Sequence, residues 1–176
     1  MLFLTAGLHQ VVINRLQSYN GYIGLILEEV QLFKNGVQIP ANSLTFFLSS
    51  SYGGRQVGAS YCNDGIISNK NYCETKLDDL DPTLTIVSAT AFDTVVVYNA
   101  DCCPNQIEGA TITATVNGIS QTTVFPSSPD AVFTFGWSSS ALVLYTGNRS
   151  TDLLIFKICK VTYFLNAFVL LSSWPL

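Results

Sequence analysis

Two of the five cysteines, Cys102 and Cys103, are adjacent, and this spacing limits the chemistry that they can do. Adjacent Cα atoms lie about 3.8 Å apart across a trans peptide, which is shorter than the usual Cα separation of a disulfide. The pair is therefore a strained bridge that stiffens its turn, two reduced buried thiols, or two cysteines with separate partners. A redox-active pair is disfavoured, because both a Cys-x-x-Cys spacing and a helix N-terminus that would stabilise a thiolate are missing.

Residues that catalyse most hydrolytic and transfer reactions are scarce in this sequence. The single histidine, His9, is expected on the surface rather than in a ligand cluster. The serines, Ser139 among them, lack a base and a nucleophile-elbow motif. Asp79 and Asp81 could bind a cation, but nothing fixes them as a catalytic pair of carboxylates. The sequence therefore predicts a protein that is not an enzyme.

The composition indicates an ordered chain with an unusually uncharged surface. Its 176 residues are one domain's worth, and 48% hydrophobic and 12% aromatic residues exclude a disordered chain. Charged residues are only 11%, against about 25% in an average soluble domain. A net charge of −4 with eight Lys and Arg excludes the basic patch that nucleic-acid binding needs.

Short runs of β-branched and aromatic residues recur along the chain, with turn residues between them. Asn-Gly pairs at 20–21, 35–36 and 117–118 allow the positive φ of a tight hairpin. Residues 111–116 alternate polar and apolar side chains, as a half-buried strand requires. With no convincing amphipathic helix, the pattern predicts an all-β fold, an antiparallel β-sandwich of jelly-roll type. The predicted strands are 11–16, 23–34, 43–48, 83–87, 94–99, 110–116, 122–125, 132–137, 141–146 and 153–159.

The ends of the sequence and the cysteine content suggest where the protein acts. The first ten residues lack the basic region of a secretory signal, yet five cysteines in a low-charge chain favour an oxidising compartment. We therefore expect an extracellular or cell-surface location within a longer exported protein, and Asn148 begins a glycosylation sequon. One domain is expected over 1–160, followed by an apolar tail at 161–176. The tail is shorter than the about 20 residues of a spanning helix, which disfavours membrane anchoring.

Three segments resemble the galactose-binding-like β-sandwich family, which includes discoidin (coagulation factor type C) domains and, closest in pattern, the fucolectins. Residues 25–33 (LILEEVQLF) are similar to the family's Glu-Val strand, and 59–65 (ASYCNDG) to its Asp-Gly loop. Residues 95–103 (VVVYNADCC), followed by 107–110 (IEGA), resemble its Asp-Cys-Cys segment. In the family the Glu-Val strand closes the domain, whereas here it precedes the Asp-Gly loop. The chain therefore joins strands of two repeats or is a rearranged single domain.

The resemblance implies a Ca²⁺ ion beside the sugar site, since Ca²⁺ takes roughly six to eight oxygen ligands from carboxylates and loop carbonyls. Asp64 and Glu29 would supply carboxylates, and Gly65 would allow the sharp bend. Alternatively, Asp64 only caps a turn and Glu29 is a solvated strand residue. The full expected ligand set, backbone oxygens included, is Glu28, Glu29, Tyr61, Asp64 and Ile66.

Fucolectins hold fucose with one His and two Arg side chains, and all three are replaced here. The His position falls on Glu74, the first Arg on Asn99 or Ala100, and the second Arg on Gln106. These side chains cannot reproduce the donor fork of Arg, although they can hydrogen-bond the hydroxyls of another sugar. The expected ligand-binding residues are Glu74, Asn99, Asp101, Cys102, Cys103 and Gln106.

The resemblance also bears on the cysteine pairing. In the lectins the adjacent cysteines form a bridge that presents a flat apolar face to the sugar, and we expect a Cys102–Cys103 bridge here. The lectin counterpart of Cys73 reaches a cysteine of the Glu-Val strand, but a glutamate occupies that position here, which leaves Cys62 as its expected partner. Cys159 is then a buried thiol or an intermolecular link.

These expectations lead to a non-catalytic, extracellular carbohydrate-binding or adhesion module stabilised by Ca²⁺. Its partner would be a glycan or a cell-surface or cell-wall protein. The alternative is a structural module of a cell-surface, cell-wall or appendage assembly that has lost sugar binding, and the replaced His and Arg residues favour that alternative. A resemblance of fold alone does not decide between the two.

Overall fold

The computed structural model describes residues 7, 9–15, 24–52, 58–67, 72–127 and 130–145. Met1–Leu144 form one compact unit, and of the second unit, Tyr145–Leu176, only Tyr145 is described. Asn148, Cys159, the predicted strand 153–159 and the tail 161–176 lie outside the described residues. Within the described part of the chain, no helix has the length and hydropathy of a membrane span.

The described residues form eleven β-strands and no α-helix, so the predicted all-β fold is confirmed. One sheet has five strands in the order β4-β6-β1-β8-β9, and the other has six, with β11-β10-β7-β2-β3 as neighbours and β5 paired to β2. The strand pairs are antiparallel. The strands are β1 (His9–Asn14), β2 (Ile26–Lys34), β3 (Val37–Gln38), β4 (Leu44–Leu48), β5 (Cys73–Glu74), β6 (Thr83–Ser88), β7 (Thr94–Asn99), β8 (Thr111–Val116), β9 (Ile119–Val124), β10 (Val132–Trp137) and β11 (Leu142–Tyr145).

The core lies between the two sheets and is built from alternate residues of their strands. β6, β7 and β8 each bury every second side chain and leave the others half-exposed, which is the pattern of a sheet with one face on a core. Phe125, which follows β9, closes this core with edge-to-face contacts to Phe133 and Phe135 at ring-centroid distances of 5.2 and 5.0 Å.

Two tight turns join neighbouring strands where the sequence predicts them. Asn35 and Gly36 have φ angles of 53° and 78° between β2 and β3, and Asn117 and Gly118 have 54° and 78° between β8 and β9. Positive φ at both central residues matches the right-handed twist of the flanking strands. The Asn-Gly pair at 20–21 lies outside the described residues.

The predicted strands agree with the observed ones wherever periodicity is strong. Those at 94–99 and 132–137 coincide with β7 and β10, and those at 43–48, 83–87 and 110–116 differ by one residue at one end. The two-residue strands β3 and β5 were not predicted, because a strand so short shows no alternation.

β2 contains a β-bulge at Glu28. Leu27 pairs with Asn99 and Glu29 pairs with Tyr98, so that Glu28 is an extra residue on β2. A bulge of this kind bends the strand and changes where the following side chains point.

The bulge shifts the phase of the core-facing residues in β2. Leu25 and Leu27 lie in the core two residues apart, but the next core residue, Val30, follows Leu27 after an interval of three. Because side chains alternate between the faces of a strand, the extra residue places Glu28 and Glu29 together on the face away from the inter-sheet core. Both are nonetheless buried, with 6% and 1% of their surface exposed.

The two basic residues at the ends of β1 are buried. The expectation of a surface His9 was wrong, because β1 buries every second side chain and His9 is one of the buried residues. Its Nδ1 accepts a hydrogen bond from the Asn117 backbone N–H at 3.3 Å. Arg15 is fully buried, and its side chain donates to the Gly24 carbonyl while its backbone N–H donates to the Pro82 carbonyl, both at 3.1 Å. Burial lowers the pKa of its guanidinium group.

Asp79 ties the segment after β4 to the loop before β6. Its carboxylate accepts hydrogen bonds from the Ser49 hydroxyl at 2.6 Å, from the Ser50 hydroxyl, and from the Asp81 backbone N–H at 3.0 Å. Partial burial raises the pKa of Asp79, but these hydrogen bonds and the charge of Lys76 outweigh it and hold the pKa below its usual value.

We expect Asp79→Asn to lower the free energy of unfolding by about 1–2 kcal/mol at neutral pH, because charged hydrogen bonds are lost from a half-exposed site. A depressed pKa stabilises the fold above the unfolded value, about 3.9 for Asp, and this stabilisation is lost as pH falls through the folded pKa. Urea unfolding at neutral and acidic pH should therefore show a difference that shrinks in acid. Asp78→Asn, at an exposed neighbouring carboxylate, is the control; equal stability of the two variants at neutral pH would contradict the network.

Candidate functional site

The bulge in β2 brings Glu29 against the loop that contains Asp64. This loop follows a 3₁₀ turn, Ala59–Asn63, and Gly65 makes its bend with a φ of 76°. Glu29 accepts hydrogen bonds from the backbone N–H groups of Asp64 and Gly65. Asp64 in turn accepts from the Ile66 N–H at 2.8 Å. Two carboxylates that are distant in the sequence thus lie close together.

The two carboxylates have different environments. Glu29 is buried and Asp64 is exposed. Burial, and then the charge of Asp64, raise the pKa of Glu29 to about 7, against the lowering effect of hydrogen bonds from the loop and from Gln31. The Oε2 atom of Glu29 is buried and has no hydrogen-bond partner. The site therefore contains a buried carboxylate oxygen whose bonding capacity is unused.

This arrangement bears on the expected metal ligands. Asp64 does cap a turn, but Glu29 is not the solvated strand residue of the alternative interpretation. Glu28 is the bulge residue itself, and Tyr61 and Ile66 flank the Asp64 bend, with Tyr61 packed against the core. Among the described residues, no group of three or more His, Cys, Asp or Glu side chains could hold a metal ion. A cation here would need backbone or water oxygens beside the two carboxylates.

A disulfide between Cys62 and Cys73 confirms the expected pairing, with a Cα–Cα distance of 5.2 Å. Cys62 belongs to the 3₁₀ turn and Cys73 to β5, where it pairs with Leu27 of β2. The loop that carries Asp64 is therefore covalently attached to the strand that lies beside the bulge.

Cys102 and Cys103 are free thiols, so the expected bridge between them was wrong. Their sulfur atoms lie 2.7 Å apart, and the short Cα separation of adjacent residues opposes a bond. They are not buried thiols either, since Cys102 is exposed and Cys103 half-buried. Tyr72 hydrogen-bonds the Cys102 thiol, and Asp101 lies close enough to act on both groups. We call Tyr72, Asp101, Cys102 and Cys103 the thiol cluster.

Two members of the thiol cluster, Cys102 and Tyr72, have raised pKa values. Although Cys102 is exposed as a residue, partial desolvation of its thiol, and then Cys103, raise its pKa to about 12. The hydrogen bond from Tyr72 acts in the opposite direction. Burial and the neighbouring Cys102 also raise the pKa of Tyr72. Because the thiolate is the nucleophile, the raised pKa slows the reaction of Cys102 with electrophiles at neutral pH.

Asn99, one of the predicted ligand-binding residues, is buried and bonded to two loops. It is 2% exposed, and its Nδ2 donates to the Pro104 carbonyl at 2.8 Å and to the Asp130 carbonyl at 3.2 Å. It is the last residue of β7, which lies between β10 and β2 in its sheet, and its Oδ1 is buried without a hydrogen-bond partner. Its role is to hold those two loops together.

Of the other expected ligand-binding residues, Gln106 adjoins the thiol cluster, because its backbone N–H donates to the Cys103 carbonyl at 2.9 Å. Asp101 is exposed, while Glu74 of β5 and Gln106 of the 3₁₀ turn Pro104–Ile107 are half-buried. The sequence analysis did not identify Tyr72 as a site residue. The available signal was its position next to Cys73. Cys73 pairs with Leu27, and Leu27 pairs with Asn99, which precedes the loop that contains Cys102.

Comparison of the chain with protein-family models, with curated proteins and with solved structures finds no match.

The Cys62–Cys73 disulfide closes a short loop, with a sequence separation of 11. We expect the double variant Cys62→Ala/Cys73→Ala to lose roughly 3 kcal/mol of unfolding free energy, from the chain entropy restored to the unfolded state. Reductant should lower the Tm of the wild type and of Cys102→Ala/Cys103→Ala equally. An unchanged wild-type Tm in reductant would contradict this role.

The thiol cluster predicts slow alkylation of Cys102 by iodoacetamide, mapped by mass spectrometry without prior reduction. Tyr72→Phe should slow it further, because the hydrogen bond that lowers the Cys102 pKa is removed. Tyr98→Phe, which removes a hydroxyl near Gln31 instead, should leave the rate unchanged. Failure of both thiols to react until reductant is added would show a bridge and contradict the free pair.

Proposed function

We propose that this chain is a non-catalytic carbohydrate-binding or adhesion module of an extracellular or cell-surface protein, stabilised by Ca²⁺. The observation that carries the proposal is the buried Glu29 carboxylate, with an unpartnered oxygen, beside the exposed carboxylate of Asp64. The galactose-binding-like resemblance points to the same two residues, from segments that the fold brings together.

The donor chemistry at this place suits a hard divalent cation. Carboxylate oxygens are the ligands that Ca²⁺ prefers, and a cation would remove the repulsion that Asp64 exerts on Glu29. Glu29 and Asp64 would hold the ion, which would supply a positive charge that fixes the loop after Asn63. The exposure of Asp64 leaves a route for the ion from solvent.

The thiol cluster is the proposed glycan-contacting surface. Tyrosine presents an apolar ring and a polar tip, which suits a sugar face bordered by hydroxyls. Asp101 and Gln106 offer carboxylate and amide groups to sugar hydroxyls. The Cys62–Cys73 disulfide, typical of exported proteins, supports an extracellular location and holds Tyr72 next to β5.

A structural module without sugar binding is the second candidate, and one observation favours it. Asn99 is buried and spends both N–H groups of its amide on the Pro104 and Asp130 carbonyls, so it offers no donor to a sugar where a lectin arginine would. On this proposal the jelly-roll scaffold and the cation are retained, and the loops contact protein neighbours of a cell-surface or cell-wall assembly.

Calcium should raise the Tm of the full chain after treatment with EDTA. A cation that binds only the folded state adds about 2.7 kcal/mol at a hundredfold excess over its Kd. Glu29→Gln and Asp64→Asn should abolish this gain, whereas the exposed Asp78→Asn should keep it. A wild-type Tm indifferent to both Ca²⁺ and EDTA would overturn the metal proposal.

A glycan array probed in Ca²⁺ and in EDTA separates the two candidates. The carbohydrate proposal expects a Ca²⁺-dependent signal that Tyr72→Ala and Gln106→Ala reduce at least tenfold, about 1.4 kcal/mol. Gln38→Ala, at an exposed glutamine of β3, should bind as the wild type does. No glycan signal from a chain whose Tm still responds to Ca²⁺ would favour the structural module.

A further inference from the structure

β9 is an edge strand without the usual protection against pairing. It has six residues and no charged side chain, and it keeps an unbroken register with β8 along its whole length. Natural edge strands are blunted by charges, prolines, bulges or shortness, as β3 is by its two residues. In the part of the chain that the structure describes, β9 has no strand neighbour on its outer side.

The register identifies the backbone groups that point outward. β8 and β9 are joined by the two-residue turn Asn117-Gly118, and Phe125 donates its N–H to the Ala110 carbonyl at 2.8 Å. Since paired and unpaired residues alternate along an antiparallel ladder, the odd-numbered residues of β9 bond to β8. The even-numbered ones, Ser120, Thr122 and Val124, direct N–H and C=O to the free edge, and their side chains are exposed.

We propose that β9 pairs antiparallel with β9 of a second copy of this chain, around a two-fold axis at Thr122. In this register Thr122 exchanges both backbone hydrogen bonds with Thr122 of the second copy, and Ser120 does so with Val124. Every outward group of the strand is then matched. A two-fold axis at Gln121 would leave the outward groups of Val124 without partners on β9.

The side chains of this edge suit self-pairing. Like charges placed opposite each other destabilise a strand pair, and β9 presents none. Thr122 and Ser120 are already fixed by hydroxyl hydrogen bonds to Thr113 and Thr115 of β8, both at 2.8 Å. The edge is therefore ordered before it pairs, which reduces the entropy lost on association. We assign this edge to a second copy of the chain because Ser120, Thr122 and Val124 of each copy supply partners for the outward backbone groups of the other.

The pairing is expected to be weak and concentration-dependent. A strand of six residues is about 20 Å long, and a contact along one edge falls below the roughly 1,200 Å² of a stable interface. On each chain the two cysteines of the thiol cluster lie in the loop before β8. Because the two-fold axis makes the paired β9 strands antiparallel, the two thiol clusters lie toward opposite ends of the paired strands. Only if the proposed function holds would such a dimer bridge two glycans through its two thiol clusters. The dimer itself does not depend on the proposed function.

Sedimentation velocity of the full chain over a wide concentration range tests the proposal. Non-reducing electrophoresis excludes cross-linked species, because reductant would also open the Cys62–Cys73 disulfide. The wild type should approach twice the monomer mass as its concentration rises. Thr122→Lys should lose the dimer at every concentration, since two lysines would face each other on the axis. Thr45→Lys, at an exposed threonine of β4 on the opposite edge of the same sheet, should dimerise as the wild type does.

Hydrogen exchange with residue resolution tests the register. The amides of Ser120, Thr122 and Val124 should exchange fast in dilute protein and slowly in concentrated protein, while those of Gln121 and Thr123 stay slow throughout. A wild type that is monomeric at all concentrations would overturn the proposal. So would a dimer that survives Thr122→Lys but is lost in Thr45→Lys, because the contact would then be β4. Glycan binding plays no part in these measurements, so the dimer and the proposed function can fail separately.

Discussion

The extra residue in β2 is the constraint on which the candidate site depends. A strand presents alternate side chains to alternate faces, so an uninterrupted β2 that buries Leu27 would also direct Glu29 into the apolar core. The bulge at Glu28 inserts one position, returns Val30 to the core and places both glutamates on the other face. Hydrogen bonds from the Asp64 loop then offset part of the cost of burying this carboxylate, whose Oε2 remains without a partner.

The same part of β2 also anchors the second surface. Cys73 pairs with Leu27 on one side of β2, and Asn99 pairs with Leu27 on the other. The disulfide fixes the Asp64 loop to this row, and Asn99 fixes the loops at Pro104 and Asp130. The Glu29–Asp64 pair and the thiol cluster are thus held by one short stretch of strand, so that the proposed cation, if bound at that pair, would be coupled to the position of Tyr72.

Much of the fold could be predicted from the sequence, because alternation of apolar residues and Asn-Gly turns are local signals. The site could be predicted only where it depends on residue type: Glu29 and Asp64 are carboxylates in segments that resemble a metal-binding loop and strand. The bulge, the burial of Asn99 and His9, and the approach of Tyr72 to Cys102 depend on strand order and register. No local pattern encodes these. The state of Cys102 and Cys103 could not be predicted from local sequence either. Covalent geometry permits a bridge or free thiols, and the family resemblance favoured the bridge, whereas the structure has free thiols.

Isothermal titration calorimetry of the EDTA-treated chain with Ca²⁺ tests whether Glu29 and Asp64 bind a cation. We expect saturable heat for a single site in the wild type. Glu29→Gln should lose it, because this variant keeps the size of the side chain but removes the charge that the bulge presents to the loop. Absence of binding heat in the wild type, or heat of equal size in Glu29→Gln, would contradict the proposed cation site.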